Sequence, residues 1–228
     1  MKCAIICGNN FRHLWFANLI LKHYSDAIVV LEEKPYQDNS INFLERDIFS
    51  NCKLNTSVFL TCSSGKVNDD RIVQHLQLQP LDYIFTFGCS LLQSKIYKIP
   101  KNGCVNIHTG LVQYYRGVDS SFWAIHDERF DRIGTTLHYI DSSIDGGDII
   151  SQKTVDEQEL LSCSQLYDVF LKTCFLGYEL LENFLVDIHN GSTGSHKNIT
   201  KGKLFQKKDM NRFSIEKAER NLKGYLEN

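Results

Sequence analysis

The sequence predicts an α/β fold of Rossmann-like type, a mostly parallel sheet with helices on both faces. Two observations predict it: short apolar runs of strand length alternate with segments of helical period, and the first run ends in a glycine turn. In chain order, Lys2–Cys7 reads as a strand closed by Gly8-Asn9-Asn10, and Leu14, Leu19 and Ile20 then mark a helix ending near His23. Ala27–Leu31 is a second, β-branched strand, followed by helix over Ile41–Ile48 and a third strand at Ser57–Leu60. Asn68 is expected to cap a helix whose first turn carries Asp69 and Asp70, charges that favour the dipole. Ile72, Val73 and Leu76 mark its inner face before Pro80 ends it.

Tyr83–Phe87 and Cys104–His108 read as buried strands, separated by a short helix near Leu91–Tyr97, and Ser120–His126 as a helix start packed on the sheet. Further on, Ser162-x-x-Gln165 has the spacing of a capping box. It opens the longest helical stretch, with Leu166, Phe170, Cys174, Leu181 and Leu185 on its apolar face. The run NGSTGS at Asn190–Ser195 is turn chemistry and sets a boundary. Residues 1–190 form one domain. Residues 191–228 form an extension, a hairpin or loop over Lys203–Phe213 and a helix over Ile215–Leu226, too small to fold alone.

Composition excludes several classes of function. With 43% apolar and 23% charged residues in 228, disorder, collagen and coiled coil fail as global descriptions. The formal net charge of −2 argues against a nucleic-acid trap. Charge is uneven, since residues 191–228 hold nine Lys or Arg against four Asp or Glu, a segment that meets either a phosphorylated substrate or solvent. The eight cysteines include no CxxC pair, so no metal site is expected. No leader pattern and no apolar run of membrane length is seen, which leads us to expect a cytoplasmic protein without membrane insertion, its thiols reduced.

Chemistry concentrates in Cys104-Val105-Asn106-Ile107-His108, Tyr115-Arg116-Gly117, His138 and Asp145-Gly146-Gly147-Asp148. Asn106 and His108 lie two apart in a strand and share a face. An amide donor can hold a developing oxyanion and an imidazole can move a proton, the pairing acyl transfer needs. Asp145 before a Gly-Gly turn can fix a carboxylate that orients His108. Residue types alone leave an alternative open: a structural strand-end histidine beside a common Asp-Gly turn.

Together these motifs decide more than any one. The stretch from Asp82 to Ile150 closely resembles the folate-dependent formyltransferase family, which includes the glycinamide ribonucleotide, methionyl-tRNA and amino-sugar formyltransferases. The resemblance rests on Asn106-Ile107-His108, Tyr115-Arg116-Gly117, and His138 followed seven residues on by Asp145-Gly146-Gly147. Phe87-Gly88-Cys89-Ser90-Leu91 resembles the cofactor loop, and Pro100-x-x-Gly103-Cys104 leads into the motif strand. It implies formyl transfer from N10-formyltetrahydrofolate to an amine, with Asn106, His108 and Asp145 catalytic and His138 in support. It places the pterin against Phe87, Gly88, Cys89 and Leu91 and against Tyr139, Ile140 and Asp141. It also implies a homodimer.

The acceptor is expected to be a sugar nucleotide. Where relatives acting on tRNA or glycinamide ribonucleotide carry Ser-Leu-Leu-Pro, this chain has Thr109-Gly110-Leu111-Val112. With Tyr114-Tyr115-Arg116-Gly117 and Trp123, that stretch resembles the amino-sugar branch. Gly8, Asn9 and Arg12, at the start of the first helix, are expected to meet phosphate, and Tyr115, Arg116 and Gly117 to meet the acceptor. The expected substrate is dTDP-4-amino-4,6-dideoxyglucose, used in O-antigen or other polysaccharide synthesis. GDP-perosamine or glycinamide ribonucleotide is the alternative.

Overall fold

β1 (Cys3–Gly8) is buried at every residue, as a strand covered on both faces must be. It opens the order α1 (Phe11–His23), β2 (Ile28–Glu33), α2 (Ser40–Ile48), β3 (Phe59–Ser63), α3 (Asp70–Gln77), β4 (Tyr83–Phe87), α4 (Ser94–Tyr97) and β5 (Cys104–His108). Then come β6 (Tyr115–Gly117), α5 (Ser120–His126), β7 (Gly134–Tyr139), β8 (Ile149–Thr154), α6 (Glu157–Leu161), α7 (Leu166–His189), β9 (Lys203–Phe205) and α8 (Arg212–Leu226). This computed structural model describes residues 1–34, 40–50, 52–57 and 59–227. One sheet has seven strands in the order β3-β2-β1-β4-β5-β7-β8; β7 and β8 pair antiparallel, and the pairs among β1 to β5 are parallel. The mostly parallel α/β class is the one the sequence predicts.

The chain divides into two compact units, residues 1–106 with 139–142 and residues 107–138 with 143–228. In the first, side chains alternate along β1. Ala4 and Ile6 join Ile72, Val73 and Leu76 of α3 and Ile96 of α4 in one apolar cluster. On α1, Phe16, Ala17 and Ile20 are buried, and Phe16 packs 5.7 Å from Phe87. Strand order reverses between β1 and β4, so the ends of these strands form the crevice in which open α/β sheets bind ligands.

The second unit is built around Trp123, which stacks 4.1 Å from Phe205 and shares a core with Phe122, Ile125, Val169, Leu176, Ala218 and Leu222. Gly177 lets α7 settle closely, since a Cβ there would stand 2.6 Å from Ile107 Cγ2. Asn221 of α8 donates to the carbonyls of Ile125 and His126 at 3.1 and 2.9 Å and so caps α5.

Several local expectations shift. The N-cap of α3 is Asp69, and Asn68 instead binds Leu91 O and Gln93 N. The capping box of α7 lies three residues beyond the expected one, with Gln165 as cap and Asp168 at N3. The third strand runs to Ser63 because Leu60, Thr61 and Cys62 pair with Val30, Leu31 and Glu32; of the expected Ser57–Leu60 span, Val58 lies outside the described residues. The short helix covers only Ser94–Tyr97, since Asn68 ties the backbone from Leu91 to Gln93. Residues 191–228 are built into the second unit, and β9 forms no hairpin: it pairs parallel with β6, Arg116 opposite Leu204.

Candidate active site

His108 closes β5 with its ring buried. Its Nε2 lies 3.0 Å from the Tyr115 carbonyl and 3.1 Å from Ser120 Oγ, and its Nδ1 lies 3.4 Å from Asp145 Oδ2. A carbonyl and a carboxylate both accept, so a ring protonated on both nitrogens can donate to each, whereas a neutral ring donates to one at a time. Gly110 has a steric reason: a Cβ there would sit 2.3 Å from Ser120 Cβ and 2.8 Å from His108 Nε2.

Asp145 adopts the left-handed conformation, φ 47°, which costs a non-glycine residue about 1–2 kcal/mol. Its Oδ2 accepts from Gly117 N at 2.7 Å, while Oδ1 stands 3.7 Å from His138 Nε2. The carboxylate therefore sits between two imidazoles, locked by a backbone donor and 15% exposed. His138 lies where the β7–β8 register slips between Leu137 and His138, a bulge of the kind that re-aims a side chain beside a site.

Asn106 lies two residues before His108 in β5. The buried Thr86 hydroxyl donates to its Oδ1 at 2.9 Å, which turns the amide nitrogen, the donor an oxyanion needs, away from Thr86.

The residues expected to meet the acceptor take up distinct tasks. Tyr115 buries its side chain in the core of the second unit and gives His108 its carbonyl; burial, then Asp127, raises its phenol pKa. Arg116 donates from Nε to Gly202 O at 2.7 Å and from Nη1 to Ile144 O at 3.0 Å, fastening the chain before β9 to the loop that carries Asp145. Gly117, φ 87°, allows the close approach of β9: a Cβ there would stand 2.0 Å from Phe205 O. Lys201 reaches the same loop, its Nζ 3.1 Å from Ser143 Oγ.

In the first unit, Gly8 and Gly88 leave room for the His13 ring, since a Cβ on either would meet it at 2.5 or 2.1 Å. The ring is buried, edge-on to Phe87 at 5.1 Å; its Nδ1 has no hydrogen-bond partner among the described residues, and burial, then Arg12 and Lys34, holds its pKa well below the usual histidine value. Asn9 exchanges bonds with the Lys34 backbone, and Arg12 pairs with the buried Glu45. Phe87 is buried, Cys89 is half-buried with its thiol pushed up to about 12 chiefly by burial, and Leu91 stands 66% exposed. The Tyr139 ring packs over Gly103, where a Cβ would meet it at 2.8 Å, and burial raises its pKa. Ile140 N donates to Cys104 O at 2.7 Å and Asp141 is exposed. Among the described residues no group of three or more His, Cys, Asp or Glu is placed to hold a metal ion, and no helix is long and apolar enough to cross a membrane.

Residues 6–174 match the family model described as formyl transferase. The chain belongs to the formyl transferase family. Among curated formyl transferases it is 29% identical over 202 residues to a methionyl-tRNA formyltransferase of Clostridium botulinum, covering 84% of this chain and 60% of that one. It is 32% identical over 109 residues to the methionyl-tRNA formyltransferase of Clostridioides difficile, covering 48% and 34%. The chain thus spans between about a third and three-fifths of these relatives' length. Among solved structures, a 4-N formyltransferase from Francisella tularensis matches with TM-score 0.67 at 18% identity, over 97% of this chain and 87% of that one. An N-formyltransferase from Helicobacter canadensis, solved with folinic acid and dTDP-3-aminofucose, matches with TM-score 0.65 at 19% identity, over 99% and 82%.

Sequence reasoning missed the contacts that three positions of this chain make at the site: Thr86, Gly110 and Ser120. They act through Asn106 and His108, in a fold that had first to be known. Thr109-Gly110 carried a usable signal, because it replaces the bulkier pair found in relatives.

Proposed function

We propose that this chain transfers a formyl group from N10-formyltetrahydrofolate to the amine of a nucleotide-linked amino sugar, with dTDP-4-amino-4,6-dideoxyglucose as first acceptor and GDP-perosamine second. The observation that carries the reading is the His108–Asp145 pair, 3.4 Å apart and held by Tyr115 O and Gly117 N, inside a formyl transferase match. Sugar acceptors are supported by the Helicobacter enzyme, solved with dTDP-3-aminofucose, which matches 99% of the chain. The folate reading is supported by the folinic acid of the Helicobacter enzyme and by a glycine-turn loop that ends in an exposed Leu91, an apolar surface for a flat ring.

In this mechanism the acceptor amine attacks the formyl carbon as the neutral base. Asn106 Nδ2 donates to the oxygen as it becomes an oxyanion, and His108, with Nδ1 kept on Asp145, supplies the second donor and moves the proton by turning its Nε2–H from the Tyr115 carbonyl to the reacting group. Asp145 orients His108 and receives the proton the amine loses. The carbon–N10 bond breaks, N10 gains a proton, and the products are the formamide and tetrahydrofolate. Gly8, Asn9 and Arg12 are assigned to phosphate, and Tyr115, Arg116 and Gly117 to the acceptor side, largely through backbone. Phe87, Gly88, Cys89, Leu91, Tyr139, Ile140 and Asp141 are assigned to the pterin. We assign the enzyme to the cytoplasm as a homodimer that contributes to polysaccharide synthesis.

The curated relatives favour one second reading, methionyl-tRNA as acceptor. A mass-spectrometric assay with formyl-folate and a panel of amino-sugar nucleotides, glycinamide ribonucleotide and methionyl-tRNA separates them. A gain of one formyl group on a sugar nucleotide, abolished in His108→Ala, is the expected result. Formylation of another acceptor alone overturns the sugar assignment, and no transfer at all overturns the activity.

A further inference from the structure

Glu32, the penultimate residue of β2, has its carboxylate fully buried and no cation among its hydrogen-bond partners. Oε1 accepts from Gly65 N at 2.5 Å and from Ser90 Oγ at 2.6 Å, while Oε2 accepts from Ser90 N at 2.6 Å. A buried ionised carboxyl is expensive unless charge-assisted bonds satisfy it, and these three are short and come from neutral donors. Register puts Glu32 opposite Gly8 of β1 and Cys62 of β3, at the carboxyl edge of the sheet.

The residues it grips are instructive. Ser90 lies in the Phe87–Leu91 loop assigned above to the pterin, and two more side chains hold the same loop. Lys34 Nζ donates to Gly88 O at 2.9 Å; Asn68 donates to Leu91 O at 2.9 Å and accepts from Gln93 N at 2.8 Å. Four bonds of this loop's backbone and hydroxyl, and a fifth from Gln93 N just beyond it, thus go to Glu32 and Lys34 at the end of β2 and to Asn68 before α3, while the Leu91 side chain is left facing out. A loop pinned from two sides has already lost freedom a ligand would otherwise have to remove, which raises affinity.

We infer that Glu32 is a positioning residue for folate: with Lys34 and Asn68 it holds the Gly88–Leu91 loop in its ligand-ready form. The inference rests on the folate reading of the preceding subsection. Its test is calorimetric binding of folinic acid to the full chain, followed by steady-state kinetics in both substrates, for wild type, Glu32→Gln and Ser90→Ala. Glu32→Gln sets an amide donor against Ser90 N or Gly65 N; Ser90→Ala removes one bond and keeps the carboxylate, so it decides the matter if Glu32→Gln does not fold. The expected result is a rise in folinic acid Kd and in KM for formyl-folate of about tenfold, with KM for the amine acceptor unchanged. Wild-type Kd and KM in both variants, with wild type binding normally, overturn the inference and leave the folate reading standing. Failure of wild type to bind folinic acid overturns the folate reading itself.

Discussion

Glu32 in the first unit and Asp145 in the second are both carboxylates in strand-end surroundings, and they are treated in opposite ways. Glu32 is fully buried and spends its acceptor capacity on three neutral donors in ordinary backbone geometry. Asp145 keeps 15% exposure, sits between two imidazoles and is held on a left-handed backbone by Gly117 N. A carboxylate whose bonds are complete fixes a loop. One that shares its oxygens with histidines, and stays open to solvent, can trade a proton. The contrast separates a carboxylate built to hold from one placed to exchange a proton.

The sharpest way to break it is Asp145→Asn. Turnover with the formyl acceptor should fall by about 10²–10⁴ while thermal stability changes little, because the amide still accepts from Gly117 N. Near-wild-type turnover in a folded variant would remove Asp145 from the reaction. Asn106→Ala should cost on the order of 10²–10³ in kcat, and Thr86→Val, which removes only the hydroxyl on Asn106 Oδ1, about tenfold, the worth of one hydrogen bond of about 1.4 kcal/mol. Equal losses in the two variants would deny Asn106 its separate role. Gly110→Ala forces Ser120 or His108 to move and should destabilise by about 1–3 kcal/mol, with kcat falling more than KM changes. Unaltered kcat would mean that the His108 ring tolerates displacement.

The smallest effect belongs to His13. Its folded pKa is lowered, whereas the unfolded chain takes up a proton near pH 6.5, so the unfolded state binds more protons below that value. Stability therefore falls as pH drops from about 6.5 toward the folded pKa, by at most about 1.4 kcal/mol per pH unit from this group. Urea unfolding at pH 7.5 and 5.5 should show a smaller pH-dependent loss in His13→Asn than in wild type. An equal loss in both would assign the acid sensitivity to other groups.

Legibility differed between the two units for a physical reason. β1, β4 and β5 are near-continuous apolar runs buried on both faces, so composition alone delimits them, and β5 occupies the expected residues. β7 and β8 carry no such mark. Thr135 and Thr136 are buried but polar, their hydroxyls satisfied by the carbonyls of Thr173 and Gly110, and β8 grades into solvent. Asn106, His108 and Asp145 stand out as residue types at fixed spacing, whereas Glu32 reads as the charged end of a strand. Its partners at 65 and 90 lie 33 and 58 positions away, and no local pattern could have joined them.

Arg116 has a temporal consequence. Its bond to Gly202 O joins positions 86 apart, and β6 has its β9 partner only once Lys203–Phe205 exists. At ribosomal rates of 5–20 residues per second those 86 residues take between about 4 and 17 seconds to make. Once residue 145 has been added, a nascent chain contains Asn106, His108 and Asp145, but β6 still lacks its partner strand and the Asp145 loop one of its fasteners. The order of synthesis thus makes closure of the β6 rim a late event, and high contact order marks it as the slow one.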